Sequence, residues 1–109
     1  MSWSIGFKLN GIKLENCEWN YTHNCNNMMR DAGYNWIYDL HEKKVIDTID
    51  NFEHMLANLK ADPEKFRVMN PPNGWGDYNS LVEIWENEIL PEAKRISTKI
   101  PEVTWWESS

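Results

Sequence analysis

The stretch that decides the fold of this 109-residue chain is Trp3-Ser4-Ile5-Gly6-Phe7-Lys8-Leu9-Asn10-Gly11-Ile12-Lys13-Leu14. In its first half, apolar residues alternate with polar or small ones, which is the two-residue period of a half-buried strand. Asn10-Gly11 is the strongest short signal for a two-residue hairpin turn. The stretch therefore predicts a β-hairpin in which Ile12 and Leu14 face inward, opposite Leu9 and Phe7.

The apolar pattern of the return strand changes phase after Leu14. The next apolar residues stand at odd instead of even positions: Cys17, Trp19 and Tyr21. A shift of one residue turns every side chain of a strand to the other face of the sheet. We therefore expect a β-bulge near Glu15-Asn16, which would bring Cys17 and Trp19 back to the core face.

The middle of the chain has a helical period. A short helix is expected after Asn24, capped by Asn24 or Asn26 and ending around Gly33. Residues 34–40, which include Trp36, either continue that helix or form a packed loop. From about Glu42 an apolar residue recurs every three or four positions, which predicts an amphipathic helix carrying Val45, Ile49, Phe52, Leu56 and Leu59.

The last third of the chain contains three further signals. Asp62-Pro63 is expected to start a short helix, with the aspartate as cap and the proline at the first helical position. Asp77 can cap a last long helix, in which Pro91 predicts a kink or a break. The residues 103–106 are β-branched and aromatic and predict a third strand.

These elements predict an α+β fold formed by a single globular domain, residues 1–109. The N-terminal β-hairpin and the C-terminal strand are expected to form a small antiparallel sheet packed against three or four helices. The chain is long enough to bury a core without disulfides or metals, and its 41% hydrophobic content and seven tryptophans argue for one.

Charge and length limit the partners and the location of the protein. Seventeen acidic residues against eleven basic ones give a net charge of −6. Direct nucleic-acid binding needs a surplus of Lys and Arg, so this balance weighs against it. No basic segment leads into an apolar run near Met1, and no apolar run could cross a membrane. A cytoplasmic location is therefore expected, with Cys17 and Cys25 reduced.

Two thiols and an imidazole, Cys17, His23 and Cys25, have the chemistry of zinc ligands. Their C-x5-H-x-C spacing matches no known zinc motif, and the chain has no other cysteine to complete a tetrahedron. Neither a metal nor another cofactor is therefore expected. Phosphate-binding glycine loops, nucleophile elbows and paired metal-binding histidines are missing from the sequence as well. The protein is expected not to be an enzyme.

Two polar and aromatic segments, each directly before a predicted helix, are the strongest candidates for a site. They are residues 19–24 and residues 73–78. Helix starts offer free backbone N–H groups, and aromatic rings can stack on a planar ligand. Ordinary helix capping and a tryptophan that closes the core explain the same residues. The expected ligand-binding residues are Asn20, Tyr21, Thr22, His23, Asn24, Asn73, Trp75, Asp77 and Tyr78.

The same segments resemble a family of small uncharacterised proteins found in phage genomes and prophages. The shared motifs are N-Y-T-x-N, here Asn20-Tyr21-Thr22-His23-Asn24, and N-P-x-N-G-W-G-D-Y, here contained in residues 70–78. The likeness covers most of the chain, whereas Pro91 and the Trp-rich C-terminus depart from the pattern. The resemblance implies a phage accessory protein in the cytoplasm of a bacterial host, and it implies no mechanism.

Two functions fit this setting. The first is sequestration of a small polar or nucleotide-like ligand, which would counter host defence and needs a pocket where the two segments meet. The small size of the chain favours a pocket at a subunit interface, and hence a homo-oligomer. The second is inhibition of a host protein through exposed aromatic anchors such as Trp75, Trp105 and Trp106. Inhibition by DNA mimicry would use the acidic helix that carries Glu83, Glu86, Glu88 and Glu92.

Overall fold

The hairpin joins two antiparallel strands, β1 (Ser2–Leu9) and β2 (Ile12–Thr22). The structure is a computed structural model, and it describes residues 2–34 and 37–109 except for the side chain of Tyr38. Asn10 and Gly11 have φ values of 52° and 80°. Two successive positive φ values belong to a type I′ turn, whose twist matches that of the strands. The predicted turn is therefore confirmed.

The predicted bulge is confirmed and is larger than one residue. Gly6 pairs with Glu18 but Lys8 pairs with Lys13, so residues 14–17 of β2 all lie opposite Phe7. Asn16, inside this bulge, has a φ of 61°, a left-handed conformation that asparagine tolerates better than most residues. Beyond the bulge Trp19 returns to the core face, where its ring lies 5.5 Å from that of Phe7.

The inward orientation predicted for Ile12 is wrong. Ile12 is 71% exposed, although it pairs with Leu9 as expected. Residues 10–13 are all exposed, so the end of the hairpin projects past the core. Leu14, closer to the bulge, is half-buried against the core.

The C-terminal strand β3 (Thr104–Ser108) pairs antiparallel with β1 and completes a sheet in the order β2-β1-β3. Trp105 is fully buried on the core face, while its neighbour Trp106 lies on the opposite face, above Gly6. A Cβ on Gly6 would come within 2.6 Å of Trp106 Nε1. The Lys13 ammonium lies 3.8 Å from the centre of the Trp106 ring. Glycine is thus required at position 6 to seat Trp106.

The start predicted for the second helix is wrong: the helix expected from about Glu42 begins at Ile49, since Lys44 bridges to Thr104 and Val45–Thr48 is a 3₁₀ turn. The five α-helical segments otherwise lie close to the predicted positions. They are α1 (Asn26–Asp31), α2 (Ile49–Ala61), α3 (Pro63–Arg67), α4 (Tyr78–Ile84) and α5 (Leu90–Lys99). Single 3₁₀ turns occupy His23–Cys25, Ile37–Leu40 and Val45–Thr48. Tyr34 and the 3₁₀ turn at Ile37–Leu40 therefore do not continue α1, whereas Asn35 and Trp36 lie outside the described residues.

The predicted caps of α1 are wrong, whereas those of α3 and α4 are confirmed. The hydroxyl of Thr22 accepts a hydrogen bond from Asn24 N and caps the 3₁₀ turn before α1, so neither Asn24 nor Asn26 acts as cap. Asp62 accepts from Lys65 N, and Asp77 forms a reciprocal capping box with Ser80. In such a box each side chain accepts a hydrogen bond from the backbone N–H of the other residue, here Ser80 N to Asp77 Oδ1 and Asp77 N to Ser80 Oγ.

Pro91 does not break the last helix. A π-helical turn, Trp85–Ile89, joins α4 to α5 and places Pro91 in the first turn of α5. Proline removes one backbone donor and crowds the carbonyl four residues earlier, and a wider turn before it relieves that crowding. With α4, the π turn and α5 as one continuous helix, the described part of the chain has four helices.

An aromatic chain links the sheet to the helices. Phe7 of β1 contacts Trp105 of β3 at 4.9 Å between ring centres, and Trp105 meets Phe52 of α2 edge-on at 6.0 Å. Phe52 also stacks on Trp85, with 4.4 Å between ring centres. This continuous core between sheet and helices confirms the α+β fold. None of the described helices is both long enough and apolar enough to cross a bilayer.

Candidate functional site

The two motif segments meet at the hydroxyl of Tyr21. Oη lies 2.7 Å from Ser80 Oγ, donates toward the carbonyl of Asp77 at 3.2 Å and accepts from Asp77 N at 3.3 Å. Tyr21 belongs to the end of β2, and Asp77 and Ser80 form the start of α4. The β-strand alternation that follows the bulge directs this ring toward Trp3, 5.8 Å away between ring centres. The phenol therefore fixes the first segment against the second.

The loop between α3 and α4 is closed at its ends and held against β2. The side chain of Asn70 accepts from Tyr78 N at 2.8 Å, which joins the two ends. Gly76 has a φ of 84°, and a Cβ there would lie 2.5 Å from Thr22 Cγ2 and 3.2 Å from Cys25 Sγ. Only glycine allows this backbone to pass so close to the first segment.

Asn24 connects the two segments a second time. Its amide Nδ2 donates to Asn73 Oδ1 at 3.4 Å and to the carbonyl of Trp75 at 3.3 Å. Asn73 Oδ1 also accepts from Trp75 N at 3.0 Å, which forms a local turn and fixes the Asn73 side chain. The backbone of Trp75 is held by these hydrogen bonds, whereas the residue is 71% exposed and its indole ring is open to solvent.

Between the segments lies an open cleft of about 670 Å³. This volume is within the range of small-molecule sites. Its walls come from the end of β2, the start of β1 and the loop before α4. The lining residues are Ser2, Asn20, Tyr21, Thr22, Asn24, Asn73, Trp75, Gly76 and Ser80.

Six of the nine residues expected to bind a ligand line this cleft, namely Asn20, Tyr21, Thr22, Asn24, Asn73 and Trp75. Asp77 lies behind the wall, where its carboxylate accepts from Ser80 N at 2.7 Å and its backbone contacts Tyr21. His23 is half-buried in the 3₁₀ turn and is not part of the lining. Neither residue lines the cleft.

Tyr78 does not line the cleft. Its ring is buried against Phe66, 6.5 Å away between ring centres, and its hydroxyl donates to the carbonyl of Leu59 at 2.7 Å. It is the first residue of α4 and begins the buried face of that helix, which turns the side chain inward.

Three lining residues were not expected from the sequence: Ser2, Gly76 and Ser80. The D-x-x-S spacing of Asp77 and Ser80 matches a helix start and could have identified the serine. Asn20 donates to the hydroxyls of Ser2 and Ser4 across the strands, a pairing that depends on the register after the bulge. No local pattern around Ser2 signals it.

Both cysteines are free thiols, and burial raises the pKa of each. Cys25 is fully buried behind the cleft, where its sulfur lies 3.7 Å from Tyr21 Oη. Within residues 2–34 and 37–109, no three His, Cys, Asp or Glu side chains are grouped as metal ligands. Burial also raises the pKa of Tyr21 to about 12, so its phenol is neutral at physiological pH.

The C-terminal tryptophans and the acidic helix, which the sequence offered as protein-binding features, are partly engaged within the fold. Trp105 and Trp106 are buried, so the idea that they are exposed anchors is wrong. In the acidic helix, Glu86 pairs with Lys60 and Glu92 with Arg95. These ion pairs reduce the regular negative charge that DNA mimicry would need.

Comparisons of the chain with protein-family models, with curated proteins and with solved structures find no match.

Proposed function

We propose that this chain is a non-enzymatic binding protein that takes up a small polar or nucleotide-like ligand in the cleft. The observation that carries the proposal is the junction of the two motif segments. Asn24 reaches Asn73 and Trp75, 49 and 51 residues further along the chain, and their side chains line one concave site. Concave sites with an aromatic surface and a few placed polar groups are typical of small-molecule binding.

The cost of keeping Trp75 exposed also supports a ligand. A large aromatic ring in water gives up favourable burial of apolar area, and here two glycines with positive φ and a closed loop hold it in that position. An aromatic ring fixed beside open amide groups can stack on a planar ligand without reorganising.

The biological setting is the part of the proposal that rests on the motif resemblance. We propose that the protein acts in the cytoplasm of a bacterial host of a phage, where sequestering the ligand would counter host defence. The absence of catalysis and the formation of a homo-oligomer both stay predictions.

A second candidate function, inhibition of a host protein, is favoured by one observation. Trp75 and Val68 are exposed apolar residues, and exposed aromatic residues are common anchors of protein interfaces. A partner protein would contact the ring of Trp75 from outside instead of filling the cleft beside it.

Native mass spectrometry of the protein, purified gently from a bacterial expression host, tests the proposal. We expect a noncovalent adduct of small-molecule mass on the wild type and on Ile12→Ala, and its loss in Trp75→Ala. Ile12 is a matched control because it has the same exposure as Trp75 and lies at the far end of the hairpin. An adduct retained by Trp75→Ala, or a copurifying protein with no small adduct, contradicts the proposal.

A further inference from the structure

The hydrogen bonds that join Asn24 to the loop before α4 leave one amide atom of Asn24 and one of Asn73 without a partner among the described residues. Because Trp75 N donates to it, the atom of Asn73 at that position must be the oxygen, Oδ1. Asn24 faces that oxygen and the Trp75 carbonyl, so the atom it presents must be its nitrogen, Nδ2. Asn24 Oδ1 and Asn73 Nδ2 therefore remain, and no described residue hydrogen-bonds to either atom.

These two atoms belong to neighbouring amides. A ligand that satisfies both must have a donor for Asn24 Oδ1 and an acceptor for Asn73 Nδ2, and a single planar edge can supply the two. Nucleobases have such edges, and asparagine reads them in many complexes through its amide. Sugars offer hydroxyls, which both donate and accept and rotate freely, so two amides fixed in direction gain less specificity from them.

The cleft is electrically neutral. Its described lining residues are Asn, Ser, Thr, Tyr, Trp and Gly, and none has a charged side chain. The Tyr21 hydroxyl is neutral and already engaged by Ser80 and Asp77, while the Asp77 carboxylate occupies the start of α4. A phosphate would find no cation among the described lining residues and would face a chain with a net charge of −6.

Trp75 supplies the remaining element of recognition. Its exposed indole borders the same cleft as the two open amide atoms. Stacking of one base on an aromatic side chain contributes about 1–3 kcal/mol and tolerates any base. The ring provides affinity in this arrangement, and the amide pair selects among bases.

Building on the proposed function, we infer that the ligand is an uncharged nucleobase or its nucleoside, stacked on Trp75 with its donor–acceptor edge at Asn73 and Asn24. The base and the nucleoside share this edge. A 5′-phosphate would add a negative charge to the ligand, and the described lining of the cleft has no positive charge to pair with it.

Isothermal titration calorimetry with adenosine, guanosine, cytidine and uridine, with their 5′-monophosphates and with methyl glucoside tests this inference. We expect at least one nucleoside to bind, and its monophosphate to bind at least tenfold more weakly. The free base of the same nucleoside should retain binding. A monophosphate that binds more tightly than its nucleoside, or glucoside binding without nucleoside binding, overturns the inference.

A variant pair tests the role of the amides. Asn73→Asp keeps an oxygen for Trp75 N and replaces the open donor by an acceptor, so nucleoside affinity should fall about tenfold or more. Asn51→Asp makes the same charge change on the exposed surface of α2 and should leave affinity unchanged. Equal affinities for the two variants contradict the assignment of Asn73.

The outcomes separate this inference from the proposed function. If native mass spectrometry finds a Trp75-dependent adduct but no nucleoside binds, the binding function stands and the ligand class is wrong. If Trp75-dependent adducts and nucleoside binding are both absent, the binding function itself is wrong.

Discussion

The hydroxyls of Tyr21 and Ser80 lie 2.7 Å apart, although 59 residues separate them in the sequence. This contact connects the end of β2 with the first turn of α4, and both residues line the cleft. A hydrogen bond between groups so distant along the chain forms only in the folded state. The shape of the candidate site is therefore coupled to the stability of the fold.

Removing the phenol oxygen of Tyr21 should lower the stability of the fold and loosen the contact beside the cleft. Tyr21→Phe should lower the free energy of unfolding by about 1–2 kcal/mol, because Ser80 and Asp77 lose a common partner. Ser80→Ala should cost a similar amount, and the double variant should cost less than the sum of the two. Urea denaturation of the four proteins measures this coupling, and strict additivity would show that the two hydroxyls do not stabilise each other.

The stability of the protein should fall at high pH. Burial raises the pKa of Tyr21 from 10 to about 12 in the folded state, so the neutral phenol stabilises the fold below pH 10. That stabilisation is lost as the pH rises from 10 towards 12, because only the unfolded chain ionises easily. Burial raises the pKa of Tyr34 in the same direction.

Denaturation midpoints at pH 8, 10 and 11 measure this loss. Tyr21→Phe should show a smaller decrease between pH 8 and pH 11 than the wild type. Spectroscopic titration of tyrosinate should show part of the phenols ionising late in the folded protein. A wild type and a Tyr21→Phe variant that lose equal stability would contradict the role assigned to burial of Tyr21.

Two glycines of the loop between α3 and α4 should differ in their tolerance of alanine. Gly74 and Gly76 both have positive φ, so alanine should cost about 1–2 kcal/mol of strain at either position. A Cβ on Gly74 meets nothing within 4 Å, whereas on Gly76 it meets Thr22 at 2.5 Å. Gly76→Ala should therefore cost about 3 kcal/mol or more in total. Thermal denaturation compares them, and equal losses would mean that the loop is not pressed against Thr22.

A buried hydroxyl ties the third strand to the helices. Trp105 Nε1 donates to Thr48 Oγ1 at 2.9 Å, and both side chains are buried. Thr48→Val keeps the shape but leaves the indole N–H unpaired, which should cost about 1–3 kcal/mol. Thr98→Val, on the exposed surface of α5, should change stability by less than about 0.5 kcal/mol. Chemical denaturation of both variants measures the difference.

The two thiols should react at different rates. Cys25 is fully buried and Cys17 only partly, and burial raises the pKa of both, which lowers the thiolate fraction at pH 7. Alkylation by iodoacetamide in the native state, followed by peptide mass spectrometry, should modify Cys17 first. In urea both should react at similar rates. Faster native labelling of Cys25 would mean that the cleft opens more readily than the rest of the fold.

Much of this fold follows from short-range signals. Asn10-Gly11 specifies its own turn, and Asp77 with Ser80 specifies the start of a helix, because each interaction closes within a few residues. The slip in the apolar pattern identified the bulge for the same reason. Such features are readable from sequence because their partners are sequence neighbours.

The errors concern choices that depend on tertiary packing. The residue types at positions 22, 24 and 26 are all acceptable helix caps. The one that caps, Thr22, is also the residue against which the loop containing Gly76 packs. Tyr78 has the polar tip of a ligand-binding residue, but its helix turns it toward Phe66. The orientation of Ile12 depends on where the core ends, which no local pattern records.

The candidate site was predictable in composition more than in arrangement. The motif segments identified most of the lining because aromatic and amide residues cluster there in the sequence. Their meeting depends on the three-residue excess in the bulge, which determines where the end of β2 lies relative to α4. The open amide atoms depend on hydrogen-bond directions that only coordinates provide.

The pairing of β1 with β3 has a consequence for how fast the protein folds. Thr104 contacts the backbone of Lys8 across 96 residues, whereas β1 and β2 are joined by a two-residue turn. Closing so long a loop costs entropy before the central strand gains its second neighbour. The hairpin can therefore form early from local contacts, and the docking of β3 is expected to limit the folding rate, as in other topologies dominated by distant pairings.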